Sequence, residues 1–409
     1  MNKWKSLIHS TRFLLVKSLY FQVMNKWKSL IHSTGFTNAA SSLLAILVGL
    51  LFGFVIMLFS NPKEAVEGLG IILAGGFGGG AKGLGQTLYY AIPLIMTGLS
   101  VGFAFKTGLF NIGAPGQFTV GAFAAIFIGI KWTFLPAPWH WIAALIGSAV
   151  AGGLWGLIPG LFKAYLNVNE VISSIMMNYI GLYAVNFAMK APAFKSAPAL
   201  FDTTMNLSSN VAASSVIPQG FFEDIFPGSI VNYGILIAIA VAILMYVVLN
   251  KTTFGYELKA CGYNRDASRY AGISEKRNIV LSMVISGALA GLGGGLVYLS
   301  GANGRRYKVV DVLLNDGFNG ISVALLGLNN PIGIIFTGIF IAYITMGGEY
   351  LQKLDFVVEI ISIITAAIIY FSAFALIFRK IVKRITGAKD VLQIAETDAP
   401  KPDAKEDKE

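Results

Sequence analysis

Over 409 residues the chain is 55% hydrophobic and only 13% charged, where soluble domains carry about 25% charged residues. That scarcity of charge, with a mean hydropathy of +0.68, excludes a disordered, collagenous or soluble coiled-coil protein and requires several membrane spans. The formal charge of +10 comes from 31 Lys and Arg against 21 Asp and Glu, and its clustering reports membrane orientation rather than nucleic-acid binding.

Before the first long apolar run stand Lys3, Lys5, Arg12, Lys17, Lys26 and Lys28 with no acid, the pattern of a cytoplasmic segment. Met1 to Thr11, MNKWKSLIHST, recurs at Met24 to Thr34. A tandem duplication explains the repeat and makes Met24 a second candidate start. The intervening FLLVKSLYFQV reads either as a basic amphipathic helix on the inner leaflet or as an extension without a role. Ser42–Phe59 is long enough to span and has no small-residue cleavage site after it, so it is expected to be retained.

A bilayer core of about 30 Å needs roughly 20 apolar residues as helix. That rule selects Ser42–Phe59, Leu88–Phe105, Phe118–Ile130, Trp141–Phe162, Val171–Met189, Ile235–Leu249, Ile279–Leu299, Pro331–Met346 and Phe356–Phe378. Ile321–Leu328 is too short to cross alone. An odd number of crossings would put Arg379, Lys380, Lys383 and Arg384 outside, against the positive-inside rule, so this segment is read as a short or broken helix. The fold expected is all-α and polytopic, with about ten transmembrane helices and both termini cytoplasmic. Residues 1–41 form a basic extension, 42–378 the transmembrane domain, and 379–409 a cytoplasmic tail expected to be disordered. Asn61–Gln86 is read as an outside loop with a short surface helix, and Lys190–Gly234 as an outside cap. Arg305, Arg306 and Lys308 fall outside, a local violation of the charge rule.

No GxxxxGK[ST] phosphate loop occurs, and three His with the single Cys261 supply no metal-ligand set and no internal disulfide. The spans lack paired acids, which argues against proton pumping and for a neutral or wet path for a neutral solute.

Four polar segments interrupt the apolar pattern. Phe105–Gln117, FKTGLFNIGAPGQ, breaks the helix where Asn111 and Gln117 offer neutral donors and acceptors; a tight turn between spans explains it equally well. In Asn167–Asn186, Glu170, Ser174, Asn178 and Asn186 share one helix face, which suits an aqueous path or interhelical hydrogen bonds. Glu170 lies at the helix start, where an acid is stabilised. Lys251–Asn278 is the sizeable cytoplasmic loop, divided by Gly255, Gly262 and Gly272. Within it Arg265–Tyr270 is expected to form a surface helix carrying Arg265, Asp266, Arg269 and Tyr270. Gly317–Gly333 has a turn at Asn329, Asn330 and Pro331 and, inside the short crossing, Asn319 and Ser322 placed to meet a solute.

These stretches carry a resemblance. GLSVGFAFKTGLFNIGAPGQ (Gly98–Gln117), NVNEVISSIMMNYI (Asn167–Ile180), TTFGYELKACGYNRDASRYAGI (Thr252–Ile273) and GISVALLGLNNPIGI (Gly320–Ile334) resemble a permease subunit of bacterial ATP-binding-cassette importers. The resemblance is to the ribose/branched-chain amino-acid permease superfamily, closest to its nucleoside-uptake branch, and covers about Leu88 to Phe378. The chain departs from the pattern at Pro115, where an acid is usual, and at Asn319, often an Asp. The resemblance implies a multi-pass subunit of a bacterial cell membrane in contact with membrane lipid, working by alternating access. It implies as partners a second permease subunit, a cytoplasmic ABC ATPase that binds ATP and Mg, and an extracellular substrate-binding lipoprotein. The loop Lys251–Asn278 is then expected to couple to that ATPase through Gly255, Gly262, Arg265, Asp266, Arg269 and Tyr270, with Gly262 allowing close backbone approach to it. No cofactor is expected in this chain and no nucleic acid as partner. A nucleoside is the solute expected, with a ribose-like sugar as the alternative. An ion-coupled transporter or a lipid-processing enzyme would require acid or His clusters that the sequence lacks.

Overall fold

The computed structural model describes residues 34–194, 211–301 and 304–356, together with 363, 366, 367, 370, 371 and 374–386. The N-terminal repeat, most of the expected span Phe356–Phe378, part of the outside cap and the tail from 387 lie outside the described residues. The chain divides into two units, Met1–Ala45 with Ala375–Glu409, and Ile46–Phe374.

Among the described residues the protein is all-α. Its long helices are α1 (Thr34–Ser60), which runs through the boundary between the units, α3 (Gly80–Lys106), α4 (Ala114–Lys131), α5 (Trp139–Leu166), α6 (Glu170–Met189), α8 (Gly234–Lys251), α11 (Glu275–Tyr298) and α13 (Pro331–Tyr350). The shorter ones are α2 (Ala65–Ala74), α7 (Phe222–Ile225), α9 (Thr253–Tyr263), α10 (Arg265–Tyr270), α12 (Asn315–Leu326) and α14 (Ala375–Thr386). Among the described residues eight helical stretches are long and apolar enough to cross a membrane. The expected span Ile321–Leu328 overlaps the second half of α12 and runs past its end at Leu326; the 12 residues of that helix reach about 18 Å, short of a bilayer core. The helix α14 runs through the expected boundary at 379.

Asn61–Gln86 is not a surface loop. It forms α2, a 3-10 turn at Gly75–Gly79 and the start of α3. Its glycines serve packing as well as turning: a Cβ on Gly83 would overlap the Gly76 carbonyl and one on Gly85 the Ser229 side chain, while Gly75 and Gly80 hold positive φ on either side of the 3-10 turn. The Tyr343 hydroxyl lies 2.7 Å from the carbonyls of both Leu73 and Ala74, where α2 ends. A backbone group freed by such a break needs a partner of this kind in an apolar environment.

The helix α3 is central, and every residue from 91 to 104 is buried. Beside it α4, α5 and α11 meet backbone to backbone. A Cβ on Gly152 would overlap the Gly287 carbonyl, one on Gly291 the Ser148 carbonyl, and one on Gly121 the Gly291 backbone. Gly287 and Gly291 are four residues apart, as are Gly152 and Gly156, so each pair lies on one helix face. Small residues at this spacing let membrane helices gain dispersion contacts where lipid supplies no hydrophobic driving force.

The helices α4 and α12 begin side by side, since a Cβ on Gly317 would overlap Pro115. The Thr97 hydroxyl of α3 lies 3.0 Å from the Asp316 carbonyl. Thr97 is separated from the Lys106 end of α3 by about 14 Å of helix, so both helices start deep within the bundle. The half-length α12, starting beside the first turn of the longer α4, resembles the arrangement by which transporters bring helix N-termini to a central path.

Candidate permeation core and basic face

The break between α3 and α4 covers residues 107–113, shorter than the sequence pattern suggests, because Pro115 sits in the first turn of α4, where its missing N–H costs nothing. Asn111 and Gln117 are fully buried and their amides pair: Asn111 Nδ2 donates to Gln117 Oε1 at 2.8 Å and Gln117 Nε2 to Asn111 Oδ1 at 3.2 Å. Asn111 Nδ2 also lies 2.7 Å from Ser286 Oγ and 3.1 Å from Ser100 Oγ, and the Gly113 N–H donates to Asn111 Oδ1. The hydroxyls of Ser100 and Ser286 are 3.0 Å apart, and Thr107 Oγ1 donates to Ser282 Oγ at 2.9 Å. Buried polar groups of this kind hold position only when each is hydrogen-bonded.

The polar face of α6 closes the same knot. The buried Asn178 accepts from the Gly116 N–H and donates to the Ile112 carbonyl, both at 2.9 Å. Ser174 is buried beside Gly113, with no partner for its hydroxyl among the described residues. Asn186, two turns further, donates to the Val310 carbonyl and to Asp311. At the start of α6, Asn169 caps the helix through the Val171 N–H, and Glu170 pairs with Lys163 of α5 at 2.9 Å. Asn111, Gln117, Ser174 and Asn178 therefore come together, whereas Asn319 and Ser322 lie apart from them on a half-exposed face of α12. Ser100, Thr107, Ser282 and Ser286 were missed in the sequence, since isolated hydroxyls within apolar helices give no periodic signal.

Arg305, out of place under the charge rule, is neutralised locally: its Nη1 donates to Asp316 Oδ2 at 2.9 Å. Burial, the largest single influence, opposes its charge, but the Asp316 carboxylate together with Tyr298, Tyr89 and Tyr90 more than offsets it and holds the guanidinium pKa above its ordinary value.

At the basic end of the bundle, Lys251–Asn278 is more helical than expected. Thr252 caps α9 through the Gly255 N–H at 3.1 Å, and Asn264 caps α10 through the Ala267 N–H at 2.9 Å; these two cap residues were the signal for α9. The expected helix Arg265–Tyr270 is α10. Gly255 and Gly262 do allow close backbone approach, but within the chain. A Cβ on Gly255 would overlap the end of α8, and one on Gly262 the Lys106 carbonyl at the end of α3. Asn278 of α11 donates to Glu257 of α9. The pair α9 and α10 is thus anchored to α3, α8 and α11, and its outer side bears a groove of about 500 Å³ lined by Tyr256, Glu257, Tyr263, Ala267, Ala271 and Ile273. Tyr263 and Tyr270 are 91% and 94% exposed, far more than packing within one chain leaves a tyrosine. Asp266 and Arg269 are exposed and Arg265 half-exposed.

Residues 83–373 match the model of the branched-chain amino acid transport system / permease component family. The chain is 37% identical over 349 residues to the nucleoside ABC transporter permease protein NupB of Lactococcus lactis, covering 85% of this chain and 94% of the relative. It is 39% identical over 338 residues to the guanosine ABC transporter permease protein NupP of Bacillus subtilis, covering 81% and 92%. The glucose ABC transporter permease protein TsgB13 of Haloferax volcanii is 31% identical, covering 71% and 75%. No solved structure matches the chain. The bundle of apolar helices and the extent of the family match together make this a multi-pass protein of the cell membrane: the chain belongs to the permease-component family of branched-chain amino acid transport systems.

Proposed function

We propose that this chain is the membrane-spanning subunit of an ATP-driven importer that moves a nucleoside into the cell by alternating access. The observation that carries the reading is the identity of 37% and 39% to permeases named for nucleosides and guanosine, each over more than 80% of this chain. ATP and Mg are held by a cytoplasmic ATPase, solute is delivered by an extracellular lipoprotein, and a second permease subunit completes the path. The anchored, tyrosine-rich pair α9 and α10 supports a docking role for Arg265, Asp266, Arg269 and Tyr270. Gly255 and Gly262 join the docking helices rigidly to the bundle, and the Glu170–Lys163 pair fixes the start of α6 near the same end.

In this reading Asn319 and Ser322 face the path. Asn111, Gln117, Ser174 and Asn178 form its wall, able to offer hydrogen bonds to solute when α4 and α12 part. A nucleoside suits such a lining because its base and ribose exchange neutral hydrogen bonds with little desolvation cost. The likeness to a glucose permease favours a simple sugar as the second reading.

The test is reconstitution of the subunit with its ATPase, second permease and lipoprotein in proteoliposomes. Uptake of radiolabelled nucleoside that needs ATP and all partners is expected. Uptake of ribose or glucose instead would favour the sugar reading, and uptake by this subunit alone on a sodium or proton gradient would overturn the importer reading.

A further inference from the structure

At the basic end of the bundle a cavity of about 210 Å³ opens between the end of α3 and α9, lined by Phe105, Lys106, Lys259, Gly262 and Tyr263. Of these only Tyr263 also lines the larger groove on the outer side of α9 and α10. The walls are fixed, because a Cβ on Gly262 would overlap the Lys106 carbonyl and the two helices therefore meet backbone to backbone. Both lysines are half-buried, and neither has an ion pair among the described residues. Lys259 Nζ lies 3.5 Å from Asn250 Oδ1, at the outer limit of a hydrogen bond. Lysines withdrawn from water are normally paired, and two ammonium groups lining one cavity repel each other. The C-terminal carbonyls of α3 offset the charge of Lys106, which stands in the last turn of that helix. Lys259 precedes the last turn of α9 and has no such compensation. Among the described residues no carboxylate lines the cavity; its polar side-chain groups are two ammoniums and the Tyr263 hydroxyl, all of them able to donate.

We infer that this cavity is a phosphate-binding site in which one anionic phosphate group bridges Lys106 of α3 and Lys259 of α9. A phosphate oxygen only accepts hydrogen bonds, which matches a lining that only donates, and lysine binds phosphate as a point charge. The volume lies below the roughly 300–1,000 Å³ of sites that enclose a drug-sized ligand, so a phosphate group enters and a nucleoside does not. Two sources supply that chemistry. Basic pockets between membrane helices take the headgroups of anionic lipids, and free phosphate reaches the same face from the aqueous side. From either source the bound group ties α3, whose Ser100 belongs to the knot at Asn111, to the docking helix α9.

The experiment uses the full-length chain in nanodiscs of phosphatidylcholine and follows its melting midpoint as inorganic phosphate replaces chloride at constant ionic strength. A second series replaces part of the lipid by phosphatidylglycerol with no phosphate added. The unmodified chain is compared with Lys106→Gln and Lys259→Gln, and with Lys251→Gln, an exposed lysine outside the cavity. The unmodified chain and Lys251→Gln should melt higher as the anion is added. In Lys106→Gln and Lys259→Gln the dose giving half of that rise should increase roughly tenfold or more, the size of one charge-assisted hydrogen bond. Without either anion these two variants should melt no lower than the unmodified chain, because each removes a repulsion. A rise with inorganic phosphate assigns the site to the aqueous anion, and a rise with phosphatidylglycerol alone assigns it to the lipid headgroup. No rise with either, or the same half-dose in all four proteins, would overturn the site. Loss of ATPase binding by the two variants, with no response of the unmodified chain to either anion, would give the lysines to a carboxylate of the partner instead.

Discussion

The side-chain amides of Asn111 and Gln117 face one another and exchange two hydrogen bonds, at 2.8 and 3.2 Å, across the break between α3 and α4. Both residues are within 1% of complete burial, so each amide supplies the partner that the other has lost from water. Replacing Gln117 by Leu leaves the Asn111 amide short of a partner, at a cost of about 1–3 kcal/mol. The detergent-solubilised protein should melt several degrees lower, and Gln117→Glu should partly restore the midpoint through Oε1. An unaltered melting curve for Gln117→Leu would contradict a structural role for the pair.

Asn178 clamps two elements, because it accepts from Gly116 and donates to Ile112. Asn178→Ala orphans an N–H and a carbonyl together, so lower yield of folded subunit should accompany slower uptake. Size-exclusion profiles read the first and radiolabelled uptake the second. Slower uptake with an undiminished folded peak would mean that Asn178 touches solute and does not hold the break.

Accessibility separates the wall from the open face. Ser174 and Asn178 are 0% and 1% exposed, whereas Asn319 and Ser322 are half-exposed. Single cysteines at 319 and 322 should react with a small polar thiol reagent in the resting protein, and those at 174 and 178 should not. Cys261 is buried and should stay silent. Fast labelling at 174 would show that the knot opens without ATP.

The glycines of Lys251–Asn278 show what the sequence made legible. A surface helix at Arg265–Tyr270 is readable from its flanking breakers and mixed charge, and it forms. The need for close approach at Gly262 is equally readable, but the partner backbone, Lys106 to Gly108, lies more than 150 positions earlier, and local pattern does not encode pairing at that range. At Gly75–Gly80 the composition correctly reports a turn, with Gly75 and Gly80 at positive φ, but it does not report that Gly75 and Gly79 pack against Tyr343 and Tyr350, which makes the segment a link between helices and not a surface loop. Arg305 looked misplaced because its neutralising acid, Asp316, begins another helix.

Internal packing and docking are separable at that loop. Gly262→Ala puts a methyl on the Lys106 carbonyl and should displace α9, lowering both folded yield and solute-stimulated ATPase activity. Tyr270→Ala removes an exposed ring and should lower ATPase binding in a pull-down with folded yield unchanged. Full ATPase binding by Tyr270→Ala would remove α10 from the contact.

The junction of α5 and α11 sets the position of everything above it, because α11 carries Ser282 and Ser286 to the knot and leads into the Arg305 segment. At Gly291 the obstacle to a side chain is backbone, the Ser148 carbonyl and the Gly152 Cα, neither of which can rotate away. Overpacking at a site able to adjust costs about 1–3 kcal/mol, and here the helices themselves must separate, which also loosens Gly152 against Gly287. Gly70, in α2, has nothing within 4 Å of where a Cβ would stand, so alanine there adds a methyl without a clash and improves helix propensity by roughly 1 kcal/mol. Gly291→Ala should therefore lower the apparent melting midpoint and the folded yield, and Gly291→Val should abolish the folded peak, while Gly70→Ala matches or exceeds the unmodified protein. Equal midpoints for Gly291→Ala and Gly70→Ala would mean that the two helices have room to part, and that close backbone contact is not what fixes the depth of Ser286 against Asn111.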